Sequence, residues 1–169
     1  LLLRGGERVG LAGLAHPRAG RTQLLRLAAR LSGEDSTAEY GAPETEGMVS
    51  HGRAVFLSDF LGDLSAVEAA LARAADRGVK GTLIQILDPA EEEFPFDGRT
   101  IFESMGGSLR HETQQAGELR TRYLARLAER KDRLAALARA VGWHFTTHHT
   151  GHPAQSALLW AYAALRGGR

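Results

Sequence analysis

Apolar and polar positions along the first half of the chain form two strand–helix units. An apolar run with β character spans residues 7–15, and leucines then repeat at helical spacing from Gly20 to Leu31. A second apolar run occupies 54–58 and predicts a buried strand. The pattern over 65–78 is again helical, with Ser65 expected to open the helix as a capping residue and Gly78 expected to close it.

The second half of the chain continues the alternation with longer elements. Residues 80–87 form a nearly continuous apolar run, typical of a strand buried on both faces of a parallel sheet. A hairpin insertion is expected over 91–113, from two short alternating runs at 100–103 and 108–112. The remaining elements are a long helix at 114–140, a strand at 143–147, and a last helix from Pro153 whose Leu158, Leu159, Tyr162 and Leu165 should pack on the sheet.

Strands that alternate with helices predict a doubly wound α/β fold, with a mostly parallel sheet and helices on both faces. The length of 169 residues suits a single domain over 1–169. Residues 34–50 carry acidic side chains, glycines and a proline without a basic residue, so we expect an acidic surface loop there.

Composition excludes several classes of protein. With 43% hydrophobic and 24% charged residues the chain is typical of a folded domain, and its apolar runs are too short for a membrane span. The net charge of +1 gives little attraction for nucleic acid. The chain has no cysteine, so a disulfide framework is excluded and a reducing, cytoplasmic compartment is expected. The opening residues, Leu-Leu-Leu-Arg-Gly-Gly, are typical of the end of a helix, which indicates a fragment of a longer protein.

Candidate binding residues follow from the strand ends. In open α/β sheets ligands bind beyond the carboxyl ends of the strands. Asp59, Asp88, and the pair His148 and His149 each end a predicted strand, and we term this expected edge the rim. Thr22, at the start of the first helix, is a further candidate.

Other features carry weaker alternatives. The histidines within 144–152 suggest a transition-metal site and a metal-dependent hydrolase, although His144 and His148 on one strand would stand about 13 Å apart. The run Glu91-Glu92-Glu93 is interpreted as solvated surface. The arginine-rich face of the long helix suggests an acidic partner or RNA, but no aromatic side chains interleave it to stack with bases. Hydrolase-elbow, P-loop and dinucleotide-binding motifs are absent from the sequence.

From Gly6 onward the order of several motifs resembles a family of uncharacterised bacterial proteins with a von Willebrand factor type A-like domain. The genes of that family commonly lie beside those of MoxR-type AAA+ ATPases. The motifs that carry the resemblance are Val-Phe-Leu-Ser-Asp-Phe-Leu at 55–61, Gln-Ile-Leu-Asp-Pro-Ala-Glu at 85–91, Phe-Pro-Phe-Asp-Gly at 94–98, Tyr-Leu-Ala-Arg-Leu at 123–127 and Gly-Trp-His-Phe at 142–145.

The resemblance implies a Rossmann-like sheet and a metal-ion-dependent adhesion site built from three loops. Thr22 and Asp59 would match the second and third loops, while the first, an Asp-x-Ser-x-Ser loop, is missing from the chain. Mg²⁺ is therefore expected only if upstream sequence supplies that loop. The strand bearing it would lie between the strand at 8–14 and the strand at 54–58, so its absence leaves two apolar edges to be closed by upstream residues or a partner's strand.

The sequence thus favours a non-enzymatic interaction module. By resemblance, its partners are an AAA+ ATPase and a protein client, with the rim at Thr22, Asp59 and Asp88 as the recognition edge. Neither nucleic acid nor membrane insertion is expected, and the open strand edges leave room for a homo-oligomer.

Overall fold

The computed structural model describes residues 1–32, 43–103 and 110–166. In chain order the elements are a 3-10 helix (Leu2–Gly5), β1 (Val9–Leu11), β2 (Ala15–Arg18), α1 (Arg21–Leu31), β3 (Arg53–Ser58), α2 (Leu64–Asp76), β4 (Lys80–Leu87), α3 (Pro89–Glu93), β5 (Thr100–Glu103), β6 (Arg110–Thr113), α4 (Ala116–Ala140), β7 (His144–His149) and α5 (Ala154–Arg166). The mixed α/β architecture expected from the sequence is therefore present.

A three-stranded parallel sheet in the order β3-β4-β7 forms the centre of the molecule. The middle strand, β4, is the apolar run predicted at 80–87, and all its residues from Gly81 to Gln85 are buried. The register pairs Ser58 with Gln85 and Gln85 with Thr147, so the three strands end at one edge.

Helices flank both faces of this sheet. Leu83 lies in a core with Leu71 of α2 and Leu134 of α4, and Trp143 closes that core by donating from Nε1 to the carbonyl oxygen of Val79. Because successive side chains of a strand alternate, Ile84 points to the opposite face, where α5 packs against β4. Helices over both faces explain why β4 is mostly apolar, with Thr82 and Gln85 as its buried polar residues.

The N-terminal segment does not form the strand expected at 8–14. It folds instead into an antiparallel hairpin, β1–β2, that is separate from the three-stranded sheet. Gly13 adopts a φ of 70°, and Leu14 donates its N–H to the carbonyl oxygen of Leu11, so the chain reverses within the predicted run. The buried Gln23 of α1 ties the hairpin to its helix by donating to the carbonyl oxygens of Val9 and His16.

The side of β3 away from β4 is open. Within the described ranges β3 pairs with β4 alone, and a cleft of about 1860 Å³ lies between β3 and the N-terminal segment. Leu57 of β3 is 64% exposed. The expectation that Leu158 and Leu159 of α5 pack on the sheet is wrong, because both are at least half exposed, whereas Leu165 is buried.

The remaining connections agree with the sequence in part. The strands β5 and β6 pair within the range 91–113 expected for the hairpin, although 91–93 belong to α3, and α4 occupies the helix predicted at 114–140. Helix α2 is capped by Asp63, two residues before the expected Ser65, because the Asp63 carboxylate accepts from the Ser65 backbone N–H. Residues 34–42 of the acidic loop predicted at 34–50 lie outside the described residues, and 43–50 contain no helix or strand. In the described ranges no helix has the length and apolar character needed to cross a membrane.

Candidate rim site at the strand ends

Asp59 follows β3 in a loop whose backbone is bound by the buried side chain of Gln85. Gln85 of β4 is fully buried, and its Nε2 donates to the Asp59 carbonyl oxygen at 2.9 Å. Its Oε1 accepts a long hydrogen bond of 3.4 Å from the Thr147 hydroxyl of β7. One side chain therefore links all three strands at the edge where the rim was predicted.

Arg130 of α4 fixes the rest of the same loop. Its Nη1 donates to the carbonyl oxygens of Phe60 and Gly62, at 2.6 and 2.7 Å. The guanidinium also lies near Asp63, whose pKa is held below its ordinary value by hydrogen bonds from the Ser65 side chain and backbone, with a smaller contribution from Arg130. Arg130 and the Asp63 cap thus hold the backbone of this loop, while the Asp59 side chain stays exposed.

Asp88 ends β4 and caps the short helix α3. Its carboxylate accepts from the Ala90 N–H, and the Glu91 carboxylate accepts from the Asp88 N–H in return, which is a capping box. The Thr150 hydroxyl, just beyond β7, donates to the other Asp88 oxygen at 2.8 Å. The Ala90 and Thr150 hydrogen bonds lower the pKa of Asp88, so it is a fixed negative charge at neutral pH.

A three-residue charge network crosses the next part of the rim. The Glu92 carboxylate of α3 contacts His149 Nε2 through one oxygen and the Lys131 ammonium of α4 through the other. Burial lowers the pKa of Lys131. The interpretation of 91–93 as solvated glutamates is therefore wrong for Glu91 and Glu92, which hold α3 in place.

The predicted histidine cluster divides between two faces of the sheet. His149 pairs with Leu87 and meets Glu92, whereas its neighbour His148 points to the opposite face because strand side chains alternate. The His152 ring lies 5.6 Å from that of His149 and 6.5 Å from that of His148. Among the described residues no group of three or more His, Cys, Asp or Glu side chains is arranged to hold a metal ion.

Thr22 lies in the first turn of α1, exposed to solvent. Helix α1 packs against the N-terminal 3-10 helix and β1, whereas Asp59 is fixed by β4 and α4. Among the described residues, hydrogen bonds and ion pairs connect Asp59, Asp88 and His149 to the same edge of the sheet. Thr22 takes part in none of these contacts.

Sequence reasoning missed four of the residues that build this edge. Gln85, Glu92, Arg130 and Lys131 act through partners far away in the chain, as shown by the 57 positions between Glu92 and His149. Only Gln85 gave a local signal, because it is the one amide side chain in the mostly apolar strand predicted at 80–87.

Fold and site together define an α/β domain whose exposed polar groups gather at the carboxyl edge of a parallel sheet. The chain belongs to the family described as "Protein of unknown function DUF58", whose profile matches residues 1–133. The matched range includes Asp59, Asp88, Glu92 and Lys131, and it ends before β7. No curated protein and no solved structure gives a significant match to the chain.

Proposed function

We propose that the chain is a non-enzymatic protein-interaction module of the von Willebrand factor A-like kind, and that it works with a MoxR-type AAA+ ATPase to assemble or activate another complex. The rim is its recognition edge. The observation that carries the proposal is the position of Asp59 and Asp88: both are exposed, and they follow neighbouring parallel strands whose ends are joined by buried Gln85.

The chemistry of the rim suits recognition better than catalysis. The Asp59 carboxylate is fixed by accepting from the Leu61 N–H, and Asp88 is fixed by Ala90 and Thr150, whose hydrogen bonds hold the pKa of Asp88 below its ordinary value. Fixed anions on a rigid backbone are suited to reading the cationic groups of a partner. A general acid or base needs a pKa near the working pH instead.

The residues that the structure describes do not on their own supply a ligand set for Mg²⁺. Asp59 and Thr22 offer oxygen ligands of the right chemistry, but Mg²⁺ takes six, and among the described residues no group of three or more His, Cys, Asp or Glu side chains is placed to supply the others. A metal-dependent mode would need an added loop, and the cleft beside β3, which Asp59 lines, has room for further chain.

A pull-down tests the proposal. A MoxR-type AAA+ ATPase from the same genome, with Mg²⁺ and ATP present, should recover the wild-type chain and lose the Asp59→Lys variant. The matched control is Asp76→Lys, the same charge change at the exposed end of α2 beside the start of β4. The proposal is overturned if the ATPase recovers nothing, or if Asp76→Lys weakens recovery as much as Asp59→Lys.

A further inference from the structure

A second recessed surface lies on the other side of α3 from the Glu92 network, between α3, the β5–β6 hairpin and the first half of α4. Its volume is about 470 Å³, within the ~300–1,000 Å³ range of pockets that bind small groups. Its floor is aromatic and is formed by Phe94, Phe96, Phe102 and Tyr123. The rim residues Asp59 and Asp88 do not line it.

The aromatic floor is built as one packed cluster. The Phe94 ring lies against Phe102 and Tyr123, with centroids 5.7 and 4.9 Å away, and Phe96 meets both phenylalanines edge-on. Phe94 is buried although it follows α3 with a φ of 44°, a backbone conformation that a bulky residue adopts only when its surroundings impose it. The floor is therefore preformed, which lowers the entropic cost of binding.

The border of this surface is cationic. Arg122 and Arg126 lie one helical turn apart on α4, both exposed, and neither forms an ion pair with an acidic group in the described parts of the chain. His111 of β6 completes the border. Among the described lining residues the one acidic side chain is Glu91, whose carboxylate accepts from the Asp88 N–H.

Tyr123 adds a polar group to the apolar floor. Burial, with a smaller contribution from Glu91, raises the pKa of its hydroxyl, so the group stays protonated and can donate a hydrogen bond. An occupant that satisfies all of these features has an apolar ring or branched side chain for the floor and carboxylates for the arginines.

We propose that this pocket binds a protein segment in which an aromatic or large aliphatic side chain is flanked by Asp or Glu. The half-exposed Phe96 and the two arginines leave the pocket open along α4, which suits a chain passing over it. Nucleic acid fits less well, because the aromatic faces are already packed against one another and the net charge of the chain is only +1.

Panning a display library of random heptapeptides on the full chain tests the proposal. The expected result is enrichment of peptides that carry an apolar anchor beside acidic residues. A labelled synthetic copy of the enriched peptide should then bind at least about tenfold more weakly to the Arg122→Gln/Arg126→Gln double variant, as measured by fluorescence anisotropy.

Two control variants show whether the loss of binding is specific to this pocket. Arg139→Gln removes a cation about 20 Å further along α4, where the side chain bonds only to the helix backbone, and should leave binding within about twofold. Asp59→Lys, which alters the rim, should leave peptide binding unchanged, so this pocket and the ATPase interaction can fail separately.

Several outcomes would overturn the proposal. The first two are that panning on the folded wild-type chain enriches no peptides, or enriches peptides without acidic residues. The others are that Arg139→Gln weakens peptide binding as much as the double variant does, or that a short single-stranded RNA at equal concentration displaces the peptide. Circular dichroism of each variant confirms that the helices remain folded.

Discussion

Gln85 and Asp59 are joined by a hydrogen bond from the side-chain amide of the first to the backbone carbonyl of the second, at 2.9 Å. Gln85 is fully buried in the central strand, and Asp59 is exposed one residue beyond the edge strand. A polar side chain in the sheet interior thus sets where an exposed carboxylate stands. Substitutions in the interior of the sheet should therefore alter the position of Asp59 at the proposed recognition edge.

Replacing Gln85 with leucine should destabilise the fold. The change keeps side-chain size but removes the donor to the Asp59 carbonyl, which we expect to cost about 1–3 kcal/mol in the free energy of unfolding. Urea denaturation measures it. The control is Thr147→Val, which removes only the long 3.4 Å bond to Gln85 and should cost under about 1 kcal/mol. A Gln85→Leu variant as stable as wild type would contradict this role of the amide.

Removing Arg130 should loosen the loop after β3. Arg130→Ala deprives the Phe60 and Gly62 carbonyl oxygens of a charged donor, so amide exchange over 59–63 should accelerate. Global stability should fall by about 1.5–3 kcal/mol. Arg139→Ala, on the same helix, should change neither quantity. Exchange that rises evenly over the whole chain would show that Arg130 has no local role.

The lowered pKa of Asp88 predicts that the folded chain loses stability in acid. Its pKa is lowered in the folded chain, so at low pH the unfolded chain binds more protons and protonation favours unfolding. The contribution of Asp88 is complete above the ordinary aspartate pKa of about 3.9 and disappears as the pH falls through the lower folded value. In Asp88→Asn the urea midpoint should therefore fall less between pH 5 and pH 2 than it does in the wild-type chain. An equal fall of the midpoint in both chains would contradict this.

The open edge of β3 predicts self-association of the isolated chain. Unpaired strand edges with apolar side chains template pairing, and Leu57 is 64% exposed there. Leu57→Lys should lower the association seen by sedimentation velocity while changing stability by less than about 0.5 kcal/mol. The matched control is Leu25→Lys on α1, where the leucine is 62% exposed but lies on a helix. Equal effects of both changes would show that general hydrophobicity, not the strand edge, drives association.

Elements with strong local patterns were predictable from sequence. The buried strand at 80–87 agrees with β4, and the helix expected at 114–140 agrees with α4 to within two residues. Long apolar or periodic runs leave few alternatives, because they must be buried to be stable. The resemblance placed the chain among uncharacterised proteins, and the family match agrees with that much.

The failures have three physical causes. The run at 8–14 reads as one strand, but Gly13 permits a reversal that the apolar pattern does not reveal. The pattern Asp88-Pro-Ala-Glu91 is a helix start by the same capping rule that was applied to Ser65, yet only the folded chain shows the reciprocal hydrogen bonds. Glu92 could not be assigned locally, since its partners come from β7 and α4.

Helix α3 is only five residues long, yet it borders both surfaces. Glu92 faces the His149 and Lys131 network, while Ala90, Glu91 and the following Phe94 form a wall of the aromatic pocket. A displacement of this single turn would change both the Glu92 network and the aromatic pocket. We therefore expect a ligand that shifts α3 at one of the two proposed binding surfaces to alter affinity at the other.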